Sequence, residues 1–266
     1  MATVRPAAVA GAFYPADPAV LRRSVEDLLD DGSPGEPGIR PNLLIVPHAG
    51  YLYSGPVAAS AYRLIRGAGD VLRRVVLVGP SHFVAHSGLA TSGVDALETP
   101  LGEVPVDPEL TASAHSSPIV NPDPAAHADE HSLEVQLPFL QVVLGEFTAL
   151  ALLTGDVEPE AVADALDEAV AADDVIGIVS SDLSHYLEYE TARRRDTRTA
   201  TAITDLRPAD LSPDDACGHT AVQGALVLAK RRGWTCRLLD LRNSGDTAGS
   251  TDRVVGYGAF AIGSEV

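Results

Sequence analysis

Short, continuous apolar runs are the clearest pattern along the chain. Four of them are rich in leucine or β-branched residues and show no polar–apolar alternation: Asn42–Val46, Arg74–Gly79, Phe147–Leu153 and Val175–Ser180. A strand has this pattern when helices cover both faces of its sheet. The runs therefore predict buried strands in a largely parallel or mixed central sheet.

Segments with helical periodicity lie between and after these runs. They are Val57–Ile65, Leu133–Leu144, Pro159–Ala172, Glu188–Asp205 and His219–Arg231, and two further strands are predicted at Arg237–Leu241 and Val254–Ile262. Alternating strands and helices are typical of an α/β/α sandwich. We see no internal repeat or linker that divides the chain, so we expect a single α/β domain over residues 1–266.

Two segments do not fit this alternation. Asp31–Pro41 is rich in glycine and proline and is predicted to be a connector. Ser92–Asp129 contains six prolines and is predicted to be mostly irregular or β-rich. A long ordered insertion of this kind often forms a lid or a wall of a site.

The charge of the chain excludes one class of partner. Nineteen Lys and Arg residues stand against 37 Asp and Glu residues, which gives a net charge of −18. Proteins that bind nucleic acid need a basic surface, so we expect no nucleic-acid partner. The basic runs Arg193–Arg195 and Lys230–Arg232 are short and are interpreted as solvated helix faces.

The two cysteines bear on the compartment and on the chemistry. No secretory signal and no apolar run of about 20 residues is visible, so we expect a cytoplasmic protein without a membrane segment. In a reducing compartment, a cysteine is more often free, catalytic or metal-binding than bridged. Cys236 lies in a predicted strand and suits a packing role. Cys217 precedes a predicted helix, where a lowered thiol pKa would favour a metal ligand.

Three histidines follow predicted strands by a few residues. His48 and His82 come directly after the first two runs, and His185 follows the fourth. The carboxyl ends of parallel strands lie along one edge of a sheet, where ligands bind, so we expect these imidazoles to converge. Asp182, three residues before His185, is expected to orient that imidazole.

The segment His127–His131 has the spacing H-x-x-E-H. In inverted zinc peptidases, two histidines of this pattern bind zinc and the glutamate acts as a base. This peptidase hypothesis requires His127 on the metal. Under the other interpretation, Glu130 and His131 line the same crevice as the strand-end histidines and contact the substrate.

Longer motifs resemble those of the Memo family, whose bacterial members are called AmmeMemoRadiSam system protein B. They are Arg5–Pro6, Ala10–Pro15, PHAGYLYSGPVAASAY at Pro47–Tyr62, Gly79–His82, EHSLEVQLPFL at Glu130–Leu140, SSDLSHY at Ser180–Tyr186 and Ala216–Gly218. The resemblance implies a fold similar to class III extradiol dioxygenases. It also implies a metal site of His48, His82 and Cys217, with Asp182 and His185 beside it. The family name implies a functional link to a radical SAM protein.

The third ligand distinguishes this pattern from the dioxygenases. They bind iron with two histidines and a carboxylate, whereas the Memo pattern offers Cys217, and a thiolate favours softer metals. We expect a metal-dependent redox enzyme with iron or copper, or else zinc.

The residues around this metal have expected roles of their own. His185 would be the general acid or base. Tyr51 and Tyr53 are expected either to contact the substrate or only to pack against neighbouring side chains. The alternative function is a catalytically vestigial scaffold that binds a peptide or protein partner in the same crevice.

Overall fold

A mixed β-sheet dominates the computed structural model, which describes residues 2–32 and 38–265. The strands are numbered in chain order. Across the sheet they follow one another as β10 (His185–Leu187), β12 (Val254–Glu265), β2 (Ile39–Val46), β9 (Val175–Ser180), β3 (Arg74–Pro80), β8 (Thr148–Thr154), β4 (Leu89–Thr91) and β7 (Val120–Pro122). A ninth strand, β11 (Thr235–Asn243), also pairs with β12. The central strands β2, β9, β3 and β8 run parallel, and β12 and β4 flank them in the opposite direction. The predicted α/β fold is confirmed.

Helices cover both faces of this sheet. One face carries α1 (Pro18–Asp30), α2 (Tyr51–Tyr62) and α5 (Leu137–Val143), and the other carries α6 (Pro159–Ala169), α7 (Tyr189–Thr204) and α8 (His219–Arg232). The short helix α9 (Ser244–Thr247) follows β11, and single 3₁₀ turns occur at Arg63–Ile65, Glu134–Gln136 and Pro208–Asp210.

Successive residues of each central strand point to opposite helical layers. In β2, Leu44 and Val46 join the core beneath α1 and α2, whereas Leu43 and Ile45 join the core beneath α6 and α8. All four are fully buried. The burial of both faces explains why the strand has no polar positions over this stretch.

The proline-rich segment Ser92–Asp129 is ordered. Besides β7, it contains β5 (Ala96–Thr99), β6 (Gly102–Pro105), α3 (Pro108–Ala114) and α4 (Pro124–Ala128). The strands β5 and β6 form a small separate sheet with β1 (Val4–Arg5). The segment thus contains both short strands and short helices rather than mostly irregular or β-rich chain, and it binds the N-terminal strand to the body of the protein.

Several element boundaries differ from the prediction by a few residues, and a proline lies in each of the following two elements. Helix α2 begins at Tyr51, six residues early, with Pro56 inside it. Pro56 has no backbone N–H, so the carbonyl of Leu52 lacks its usual helical hydrogen-bond donor. Leu52 is 69% exposed, so water can replace that donor. Strand β2 includes Pro41, which pairs with Gly263 next to an irregularity in the β12 register. The predicted connector Asp31–Pro41 therefore ends earlier, and its residues 33–37 lie outside the described part.

No helix in the described residues has the length and apolarity needed to cross a membrane.

Candidate metal centre

The three adjacent strands β2, β9 and β3 deliver the predicted site residues to one edge of the sheet. His48 follows β2 after one residue, Asp182 follows β9 after one residue, and His82 follows β3 after one residue. These strands are paired in parallel, so their carboxyl ends coincide. The convergence expected from the sequence results from this order of strands.

Three imidazoles form the centre of the site. One ligand atom from each of His48, His82 and His131 lies within 4.8 Å of the others, so this group could hold a metal ion. The ring centroids are 5.2 Å apart for His48 and His82 and 4.8 Å apart for His82 and His131. His131 was expected as a substrate contact, and the structure brings it into the imidazole group.

The other histidine of the H-x-x-E-H pattern, His127, lies outside the imidazole group. His127 is buried, and its Nε2 lies 2.8 Å from the carbonyl oxygen of Ala90. Helix α4 ends at Ala128, so it does not carry the two histidines on one face. The arrangement required by the peptidase hypothesis is therefore not formed.

The hydrogen bonds of His48 fix its tautomer. Its Nδ1 lies 2.9 Å from the hydroxyl of Ser180, and that hydroxyl donates its own proton to the carbonyl of Ser132 at 2.6 Å. His48 must therefore donate from Nδ1, which leaves the lone pair of Nε2 directed at the site. Burial lowers the pKa of His48 well below its ordinary value, and the neighbouring His82 and His131 lower it further.

Glu130 fixes the tautomer of His82 in the same way. Its carboxylate accepts hydrogen bonds from the backbone N of His82 at 2.5 Å and from Nδ1 of His82 at 2.9 Å. The amides of His131 and Ser132 also donate to it. Burial alone would raise the pKa of Glu130, but these bonds outweigh it and lower the pKa to about 2. The Nε2 of His82 therefore also presents a lone pair.

This donor set fits a transition metal. Neutral imidazole nitrogens with free lone pairs are the form in which histidine binds iron, copper or zinc. A carboxylate or carbonyl behind each ligating imidazole is the usual support of such a ligand. Burial also lowers the pKa of His131, which favours its neutral form.

Cys217 lies directly beside this group. Its Sγ is 3.2 Å from Nε2 of His48, and the backbone N of Asp182 lies 3.3 Å from the same sulfur. The approach depends on Gly218, since a Cβ there would lie 2.6 Å from the carbonyl oxygen of Ser180. The prediction that the thiol pKa of Cys217 is lowered is wrong for the protein alone. Burial, followed by the charge of Asp182, raises the pKa of Cys217 to about 12.

Asp182 and His185 are present, but they are not joined as expected. The Oδ1 of Asp182 accepts hydrogen bonds from the amides of His48 and Ala49, at 2.8 Å and 3.3 Å. His185 is oriented instead by the carbonyl oxygen of Leu183, 2.8 Å from its Nδ1. Burial raises the pKa of Asp182 to about 6. His185 thus has Nε2 free to exchange a proton.

A cavity of about 630 Å³ opens onto these groups. Its lining residues are Phe13, His48, Ala49, Gly50, Tyr53, His82, His131, Asp182, His185, Tyr186, Ser244, Gly249, Ser250, Arg253, Val255 and Tyr257. This volume suits a small organic molecule. Among the described residues, none from Ser92–Asp129 belongs to this lining, so that segment is not the wall that we expected.

The two tyrosines and Glu130 occupy different places relative to this cavity. Tyr53 lies on its wall and is 38% exposed. Tyr51 is buried, and its hydroxyl donates to the carbonyl of Val135 at 2.6 Å, so packing describes its position. Glu130 lies behind His82 and is buried. Sequence reasoning missed Arg253, Phe13 and Tyr186 as cavity residues, because none of them belongs to a recognisable ligand pattern.

Comparison with known proteins identifies the family. The family described as "Memo-like protein" matches residues 5–261. The chain belongs to the Memo family. Curated Memo-family relatives include the MEMO1 family proteins of Aquifex aeolicus (38% identical; 96% of this chain and 97% of that protein), Methanopyrus kandleri (36%; 97% and 98%) and Sulfolobus acidocaldarius (34%; 98% and 99%).

A solved structure supports the fold of this Memo-family chain. An uncharacterized protein of Escherichia coli K12 superposes with a TM-score of 0.52 at 14% identity, over 82% of this chain and 99% of that one. At this identity the likeness concerns the fold alone.

Proposed function

We propose that this Memo-family chain is a metal-dependent oxidoreductase that uses iron or copper, held by His48, His82 and Cys217. The observation that carries the proposal is the pair of Nε2 lone pairs fixed toward one point, with a thiol 3.2 Å from one of them. His131 faces the same point and is available as a further ligand. When bound, iron or copper would supply redox chemistry that side chains lack.

The remaining residues prepare the substrate and move protons. His185 lines the cavity, with Nδ1 held by Leu183 and Nε2 free, so it can accept or return a proton at Nε2. Asp182 fixes the backbone at His48 and Ala49 and so holds the β2 end of the site in place. Phe13 and Tyr53 offer apolar surface for the substrate.

Metal analysis tests this proposal. Protein purified without chelator should contain stoichiometric iron or copper, and His48→Ala and Cys217→Ser should each lose most of it. His115→Ala is the matched control, because His115 is exposed and, among the described residues, its side chain bonds only to the hydroxyl of Thr91. Unchanged iron and copper in both site variants would refute the ligand set. Stoichiometric zinc in place of both would refute the redox chemistry.

A scaffold that binds a peptide is the second candidate, and the aromatic rim of the cavity favours it. Phe83 and Tyr186 are 62% and 66% exposed, and both directly follow a histidine of the cavity. Such side chains are common in peptide-binding surfaces. The scaffold predicts partner capture that survives in a His48→Ala/His82→Ala/Cys217→Ser variant without metal, whereas the enzyme predicts that this variant loses its function.

A further inference from the structure

The cavity has an uneven distribution of charge. Among the described residues that line it, Arg253 carries the single guanidinium or ammonium group. Within residues 2–32 and 38–265, no carboxylate forms an ion pair with Arg253. In a chain with a net charge of −18, a cation left without a partner at the wall of a cavity is available for a ligand.

The carboxylates near the cavity are engaged elsewhere. Asp182 lines it, but its Oδ1 accepts from the amides of His48 and Ala49. Glu130 lies behind His82, with both oxygens occupied by protein donors. Besides the second oxygen of Asp182, the polar surface offered to a ligand consists of imidazoles, hydroxyls and one guanidinium, and the guanidinium is complementary to an anion.

The backbone sets the distance between Arg253 and the reacting groups. Arg253 directly precedes β12, and Val255 and Tyr257 are alternate residues of that strand; all three line the cavity. Val255 is paired with His185 on β10. Two residues of chain span at most about 7 Å, so the backbone of Arg253 lies within about 7 Å of that of Val255, the partner of His185.

The lining of the cavity also includes aromatic side chains. Phe13, Tyr53 and Tyr186 contribute rings to the lining, and the volume of about 630 Å³ admits a molecule of one or two rings. A ligand in this cavity therefore has aromatic side chains available for contact.

We propose that Arg253 binds the carboxylate of the substrate, and that the substrate is a small organic acid with a flat apolar body. The two parallel N–H groups of one guanidinium match the two oxygens of a carboxylate. The proposal rests on the proposed function only in taking this cavity as the place where substrate binds. The opposite end of the acid then lies beside His185 and the imidazole group.

A matched pair of probes tests this assignment. Phenylacetate and phenylacetamide have nearly the same shape and differ in charge, and their binding can be followed by ligand-observed NMR titration. Wild-type protein should bind the acid about tenfold or more tightly than the amide, as expected for a charge-assisted pair. Arg253→Gln should reduce this preference to within about twofold, and Arg253→Lys should retain part of it.

The control variant is Arg198→Gln, an exposed arginine on α7 outside the cavity lining, which should behave as wild type. Each titration is run on metal-loaded and chelator-stripped protein, because a metal ion can also bind a carboxylate. A preference that persists in Arg253→Gln, or that disappears on stripping alone, would overturn the assignment, as would wild-type protein that does not discriminate. Tighter binding of phenyl phosphate than of phenylacetate would overturn the choice of carboxylate. Metal content measured in parallel separates these outcomes from a failure of the proposed metal site.

Discussion

Glu130 holds His82 by two hydrogen bonds, one to the backbone N and one to Nδ1 of the imidazole. The carboxylate therefore controls both the position of the chain after β3 and the tautomer of the ring. It lies behind the imidazole group and is buried. A carboxylate in this relation to a ligating histidine orients the ring and raises its basicity.

Glu130→Gln should weaken metal binding by about 10- to 100-fold without abolishing the site. The glutamine replaces one acceptor oxygen with an NH2 group, which then faces an N–H donor of His82 or its neighbours. Competition with a chromogenic chelator measures the affinity. Glu103→Gln, an exposed change on β6, serves as the control. Equal affinities for the two variants would show that Glu130 is not a positioning residue for the metal.

Cys217→Ser and His131→Ala should affect bound metal in different ways. A thiolate on Cu(II) or Fe(III) gives a charge-transfer absorption in the visible range, which imidazoles do not produce. In protein reconstituted with Cu(II), Cys217→Ser should lose this band, and His131→Ala should keep it while binding copper less tightly. A band that survives in Cys217→Ser would place the sulfur outside the ligand set and leave the three imidazoles as the site.

The sequence placed His48 and His82 as metal ligands, but it placed His131 in the crevice only as a substrate contact and not in the imidazole group. The first two follow buried apolar strands, and the order β2–β9–β3 makes their positions converge once the sheet is parallel. His131 comes from the irregular chain between α4 and the 3₁₀ turn Glu134–Gln136, where no periodicity predicts direction. It reaches the site because Arg5 donates to the carbonyl of Glu130 and Glu130 in turn bonds to His82, and both contacts join residues far apart in sequence.

The pKa of Cys217 shows a second kind of limit. Its position before α8 correctly suggested a thiol close to the site, and the sulfur is near His48. The expected direction of the pKa shift was wrong, because burial opposes the charged thiolate and Asp182 lies beside it. Burial and a carboxylate brought in by β9 are tertiary effects, so a local pattern cannot supply them.

A buried ion pair should make Arg5 essential for stability. Its guanidinium lies 2.7 Å from Glu134 and also donates to the carbonyls of His127 and Glu130, both at 2.6 Å. Arg5→Met leaves the Glu134 carboxylate buried without its cation, which should cost about 3–5 kcal/mol of unfolding free energy in urea denaturation. Arg237→Met breaks an exposed pair with Glu265 and should cost less than about 1 kcal/mol. Similar losses in the two variants would contradict this account of the pair.

His127 should make the protein sensitive to acid. Burial lowers its pKa to about 4, from an ordinary value of 6.5. Between these values the unfolded chain binds a proton that the folded protein does not, so stability from this group is present above pH 6.5 and is lost as the pH falls toward 4. The loss should amount to about 3 kcal/mol.

In His127→Gln, the glutamine amide can still donate a hydrogen bond to the carbonyl of Ala90, but it does not take up a proton between pH 7 and pH 4.5. The difference in unfolding free energy between pH 7 and pH 4.5 should therefore be smaller in this variant than in wild type. His115→Gln, an exposed substitution, should leave the difference unchanged. If His127→Gln retained the full pH dependence, other groups would be responsible for it. Metal content should be the same in all three proteins, since His127 is bonded away from the imidazole group.

Tyr186 stores backbone strain at the mouth of the cavity. Its φ is 55°, a left-handed conformation that tyrosine rarely adopts, and its side chain is 66% exposed. Asparagine tolerates this conformation, so Tyr186→Asn should raise the unfolding free energy by about 1 kcal/mol. The same substitution removes an aromatic side chain from the cavity wall and should therefore weaken the binding of phenylacetate. Tyr53→Asn makes the same chemical change at a helical position of α2, where there is no left-handed strain to relieve, so it should not raise the unfolding free energy. A stability loss in Tyr186→Asn as large as that in Tyr53→Asn would show that packing of the ring outweighs the strain.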